Sequence, residues 1–185
     1  MAKEALSEAL TRILASSGVI SPIVGEQLAQ LFEDSTKEDF TDFLLEEGFV
    51  EKGDLLEALS KHYQVPWFDV EGYFFDHDLV HRFPKGFLLR NNIIPVEIDN
   101  DENMLLMVTS EPDNDELLPL IGEWGSWDIQ FNVGLKRHIN DAAKEFHEAA
   151  VNEVQEDEDW QAERRLVREE EAIEENGDES FGDEE

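Results

Sequence analysis

The chain contains no cysteine, which excludes disulfides, thiolate metal sites and a cysteine nucleophile and fits a reducing compartment. No apolar run approaches the roughly 18–20 residues of a membrane span. The opening "MAKEALSEAL" has no apolar signal core, so a cytoplasmic chain without membrane insertion is expected. Cations are scarce. Fourteen Lys and Arg stand against 46 Asp and Glu, a formal net charge of −32. Such a chain is repelled by nucleic acid and by anionic lipid, and "RR" at 164–165 or "LKRH" at 135–138 is too small to reverse this. The phosphate-binding patterns G-x-x-x-x-G-K-[ST] and G-x-G-x-x-G are also missing, so NTP hydrolysis by these residues is not expected.

What is present is enough to fold. Hydrophobic residues make up 41% of 185 positions, sufficient for one domain or two small lobes. The acid is unevenly spread: from Asn152 to Glu185 there are 16 acidic and 3 basic residues. That composition reads as an acidic, partly disordered tail over 151–185. Within it, Trp160, Leu166, Val167 and Ile173 form a thin apolar stripe, which makes 160–175 a candidate helix.

The first third repeats itself. Aligning Gly18 with Gly48, a shift of 30 residues, puts Leu10 on Phe40, Ile13 on Phe43, Leu14 on Leu44, Val19 on Phe49 and Ile20 on Val50. Each copy reads as helix, glycine stop, apolar pair, helix. Glycine fits the stop because helices commonly end on a left-handed residue. Ser21-Pro22 is a helix start, a capping hydroxyl followed by proline at the first helical position. In the second copy, "EKGD" makes Asp54 the expected cap. With no third copy, a solenoid is disfavoured. Two tandem hairpins packed into a four-helix lobe over 1–63 are expected.

The period then changes. "VPWF" (65–68) is a short extended plug between lobes, with Trp67 assigned to the core. A short helix starts at Asp76 or Asp78, Pro84 breaks it, and another short helix follows. "IIPVEI" (93–98) and "MLLMVTS" (104–110) read as a strand hairpin. A helix is predicted from near Asp113–Asp115 to Gly122 or Gly125, then a strand over 128–134. A last helix places Ile139, Ala142, Ala143 and Phe146 on one face. The fold class is therefore α+β: the four-helix lobe, a small ββαβα lobe over 64–150, and the acidic tail.

Few residues offer chemistry. His77 and His81 in "HDLVH" share a helix face at i, i+4, as metal ligands would. Without a third ligand they read as ordinary surface histidines. Carboxylate pairs such as Glu46/Glu47 and Asp113/Asp115 say little in a chain with 46 acids. No catalytic residue, cofactor site or metal site is expected. Trp124 and Trp127, flanking the loop of "EWGSW", are candidates for an interface, where aromatics are enriched.

The stretch "DFLLEEGFVEKGDLLEALSKHYQVPWFDVEGYFFDHDLV", followed by "RNNIIPVEI", "MLLMVTSEPDNDELLPLIGEWG" and "DIQFNVGLKRHINDAAKEF", resembles the N-terminal regulatory domain of type II secretion and type IV pilus assembly ATPases. The likeness runs over residues 5–148 and rests on the order of these motifs. It implies a helical lobe joined to a small α/β lobe. It also implies one of two uses: docking on an inner-membrane assembly protein, or binding cyclic di-GMP through an Arg-Leu-Gly triplet in each helical phrase. The matching positions here are Ala9-Leu10-Thr11 and Asp39-Phe40-Thr41, with neither arginine kept. A charge-assisted Arg–phosphate hydrogen bond contributes about 1.5–3 kcal/mol, and an aspartate in its place repels phosphate. The family's ATPase core has no counterpart in these 185 residues. The expectation is a non-catalytic docking or adaptor module for a protein partner of secretion or pilus machinery. The alternative is a degenerate sensor of a cyclic dinucleotide or other small ligand.

Overall fold

The computed structural model describes residues 5–148, and the acidic stretch with its candidate helix 160–175 lies outside them. Four helices open the chain: α1 (Leu6–Ser16), α2 (Pro22–Glu33), α3 (Phe40–Glu46) and α4 (Lys52–Tyr63). α2 and α4 are offset by 30 residues at both ends, the shift of the sequence repeat. The stops share their glycine and the bond behind it. Gly18 and Gly48 adopt φ of +76° and +71°, in the left-handed region that disfavours a side chain. Behind them the Val19 N–H donates to the Leu14 carbonyl at 3.0 Å, and the Phe49 N–H to the Leu44 carbonyl at 3.3 Å.

The starts differ. Ser21 Oγ accepts from the Val24 N–H at 3.3 Å, with Pro22 at the first helical position. In the second copy the expected Asp54 cap is corrected. The N-cap position falls on Glu51, whose side chain makes no cap bond, and Asp54 sits inside the first turn. The glycine stop and the apolar pair after it set where the chain reverses, so the helix starts in the repeat's register. A carboxylate in the first turn still suits the positive end of the helix.

Leu10 and Leu14 pack with their repeat mates Phe40 and Leu44 in one buried cluster. Phe32 ties the two hairpins together, its ring lying 5.1 Å from Phe40 and 5.5 Å from Phe43. The cluster also takes in Val133 and Leu135, some seventy residues further along the chain than the last of the four helices.

The described chain continues with α5 (His77–Val80), α6 (Lys85–Asn91), β1 (Ile93–Asp99), β2 (Met104–Thr109), α7 (Leu117–Gly122) and β3 (Asp128–Val133), then α8 from 136 to 148. The sheet order is β1-β2-β3. β1 and β2 are antiparallel, Ile93 opposite Thr109, with an irregularity between Pro95 and Glu97. Proline cannot donate to a ladder, which is why it falls where the pairing slips. β3 returns through α7 to lie parallel to β2, Met104 opposite Asp128. α7 starts later than predicted because an Asx-type turn comes first, Asn114 Oδ1 accepting from the Glu116 N–H at 3.0 Å. Ile139, Ala142, Ala143 and Phe146 of α8 are buried against the sheet's core, as their spacing predicts.

Trp67 is a correction: it is 47% exposed. Its segment runs beside β3, the Val133 N–H donating to the Pro66 carbonyl and the Phe68 N–H to the Val133 carbonyl, each at 2.9 Å. Neighbours in an extended chain face opposite ways. Phe68 turns into the α/β core and Trp67 turns out.

Candidate functional site

The heads of the two helical phrases come first. Ala9 and Leu10 are fully buried in the first hairpin, and Thr11 nearly so. The Thr11 hydroxyl donates back to the Ser7 carbonyl at 2.9 Å and the Glu8 carbonyl at 3.0 Å. Asp39 caps α3, accepting from the Asp42 N–H at 3.0 Å and from the Thr41 hydroxyl. Phe40 and Thr41 are buried. Five of these six positions therefore serve the core and the sixth serves a cap.

Between α1 and α2 lies an open groove of 620 Å³. Its floor is small, with Thr11, Ala15, Gly25 and Ala29, and its rim carries Glu8, Arg12, Glu26 and Glu33. The corresponding face of the second hairpin is charged differently and is contacted by the segment that runs from β3 into α8. Glu46 accepts from Lys37 and, at 2.6 Å, from Arg137 Nη1. The Lys37 hydrogen bond chiefly, and both cations together, hold its carboxyl below the usual range. Burial pushes the Asp42 carboxyl up, and Asp39 and Glu46 push the same way. Tyr63, at the end of α4, is pushed up to about 12 by burial and by Asp113, Glu111 and Asp39.

Among the described residues one group of metal-ligating type gathers: Asp69, Glu71 and His138, whose ligand atoms lie within 4.8 Å of one another. The Lys52 ammonium already sits on both carboxylates, 2.9 Å from Asp69 and 2.7 Å from Glu71, so its charge occupies the place a metal would take. The two histidines of "HDLVH" are engaged elsewhere. His77 Nδ1 lies 3.0 Å from the Phe146 carbonyl. His81 places Nδ1 2.7 Å from the His77 carbonyl and Nε2 3.2 Å from the His147 carbonyl. They join α5 to α8.

Trp124 is 43% exposed and meets Phe87 at 5.8 Å and Phe83 at 6.4 Å. Trp127 is partly buried and meets Phe83 at 6.1 Å. Gly125 is required beneath it, because an added Cβ would come within 2.3 Å of the Trp127 ring. The sequence offered no sign of the groove or of the Lys52 cluster by motif. The exchange of Glu26 and Ala29 for Leu56 and Leu59 across the repeat was the available signal.

Residues 63–153 match the model of the MshEN domain. That match, over about half of the chain, supports the resemblance its motifs carry to the N-terminal regulatory domains of type II secretion and type IV pilus assembly ATPases. Two solved structures give particular relatives. A structure of MshE with cdg is 19% identical with a TM-score of 0.57, over 74% of this chain and 97% of that one, and shares the fold. The N-terminal domain of XpsE is 15% identical with a TM-score of 0.49, over 78% of this chain and 97% of that one. No curated protein matches. Among the described residues no helix is long and apolar enough to cross a membrane.

Proposed function

We propose that the chain is a non-catalytic docking module that grips a protein component of a secretion or pilus machine from the cytoplasmic side. The observation that carries this is the fate of the two phrase heads. Ala9, Leu10, Thr11, Phe40 and Thr41 are buried and Asp39 caps α3, so neither head presents a cation to a phosphate. The family match supports a regulatory or docking role in the same direction. The aromatic step of Trp124 and Trp127 is a second contact surface in this proposal. The acidic sequence beyond 151 steers a basic partner toward it.

The test is capture. The full chain, immobilised and exposed to membranes carrying secretion or pilus machinery, is expected to retain an inner-membrane assembly protein. Recovery of no machine component counts against the reading. A ligand sensor is the competing function, because the 620 Å³ groove is of small-molecule size and a relative was solved with cdg. Isothermal titration with cyclic di-GMP decides between them. No heat is expected up to tens of micromolar, and micromolar binding would establish the sensor.

A further inference from the structure

The two hairpins offer equivalent faces to different surroundings. In the second, the segment leading from β3 into α8 covers that face. Leu56 and Leu59 are 1% and 2% exposed. Val133 and Leu135 share their cluster. Arg137 reaches across to Glu46 at 2.6 Å. Shifted back by 30 residues, Leu56, Leu59 and Glu46 become Glu26, Ala29 and Ser16, all lining the open groove. The groove is the first hairpin's copy of a surface that the second hairpin uses to hold a stretch of chain.

The exchanges describe the missing occupant. Leu45 and Leu59 become Ala15 and Ala29, which deepens the floor and makes room for a bulky apolar side chain. Leu56 and Tyr63 become Glu26 and Glu33. With Glu8, they put three carboxylates on the rim against the one guanidinium of Arg12. We infer that the α1–α2 groove seats a segment of a partner protein built like residues 133–137. That segment carries a large aliphatic or aromatic side chain for the floor, followed within two residues by Lys or Arg for the rim. The assignment rests on the docking reading above and names the chemistry of the docked segment.

The experiment uses a synthetic peptide copying residues 131–140, FNVGLKRHIN. It is titrated into the isotopically labelled full chain and followed by NMR. Saturable shift changes within residues 8–33 are expected. A peptide with Arg137→Glu should bind at least tenfold more weakly. On the protein side, Glu26→Lys with Glu33→Lys should weaken binding by a similar factor. Ala29→Trp, which fills the floor, should abolish it. Circular dichroism on each variant checks that the fold is kept, and the peptide variant needs no such control. Shifts confined to the second hairpin or to the Trp124 face, or no shifts at millimolar peptide, overturn the assignment. Capture of a machine component that is indifferent to the Glu26→Lys, Glu33→Lys pair also overturns it while leaving the docking reading intact. Failure of the wild-type chain to capture any component removes the docking reading, and the peptide result still judges the groove.

Discussion

The first and second hairpins are built on one backbone plan, with the same glycine stops and the same 30-residue offset. Their outer faces have gone separate ways. The second carries leucines and is roofed by the end of β3, whereas the first carries glutamates and alanines and stays open. Backbone plan and surface destiny are therefore set by different residues. The stops and the core positions define the hairpin, and three or four positions on α2 or α4 decide what lies over it.

The largest effect expected from breaking this comparison is at its leucines. Leu59→Ala should cost about 2–5 kcal/mol, since it opens a cavity in a closed cluster. Glu26→Ala, at the counterpart of Leu56, should change stability by less than about 0.5 kcal/mol, as exposed substitutions do. Urea denaturation of both variants measures the contrast, and similar costs would erase it. Next come the stops. Gly18→Ala and Gly48→Ala should each cost about 1–2 kcal/mol, because both backbones are left-handed. No atom lies within 4 Å of an added Cβ at either site, so the two costs should agree closely. Thermal denaturation that separates them widely would show that the copies are not equivalent.

A smaller effect separates the helix starts. Ser21→Ala should cost about 1 kcal/mol through the lost cap. Glu51→Ser, placing a hydroxyl where α4 has no side-chain cap, should return a stabilisation of up to a similar size. A last effect shows only in alkali. Tyr63 has its native pKa raised to about 12, against about 10 in an unfolded chain. The native state thus holds this proton more tightly, and the resulting stability is complete below pH of about 10. It is lost as pH rises toward about 12. Melting temperature should fall over that window in the wild type and less in Tyr63→Phe.

Much of this was written in the sequence. Gly18 and Gly48 announce the repeat because few other residues tolerate their backbone. The spacing of Ile139, Ala142, Ala143 and Phe146 announces the buried face of α8. Local rules failed where tertiary pairing overruled them. Trp67 reads as core by its size, yet its position beside β3 turns it outward. Asp54 reads as a cap by chemistry, yet the repeat's register starts α4 before it. The heads of the phrases could be named from the family resemblance, although their burial could not. The groove was legible only as a difference between copies, Glu26 against Leu56 and Ala29 against Leu59. Such a difference gains meaning once one copy is seen to be covered.

The participation of Val133 and Leu135 in the helical cluster bears on how the chain is made. These residues leave the ribosome some seventy positions after α4 is complete. Until they do, the four helices lack their last wall, with Leu56 and Leu59 open to water. Closure of that cluster must wait until the end of β3 has been made, and the long-range contact makes it slow relative to helix formation. A nascent chain halted before β3 should accordingly be the form that chaperones hold.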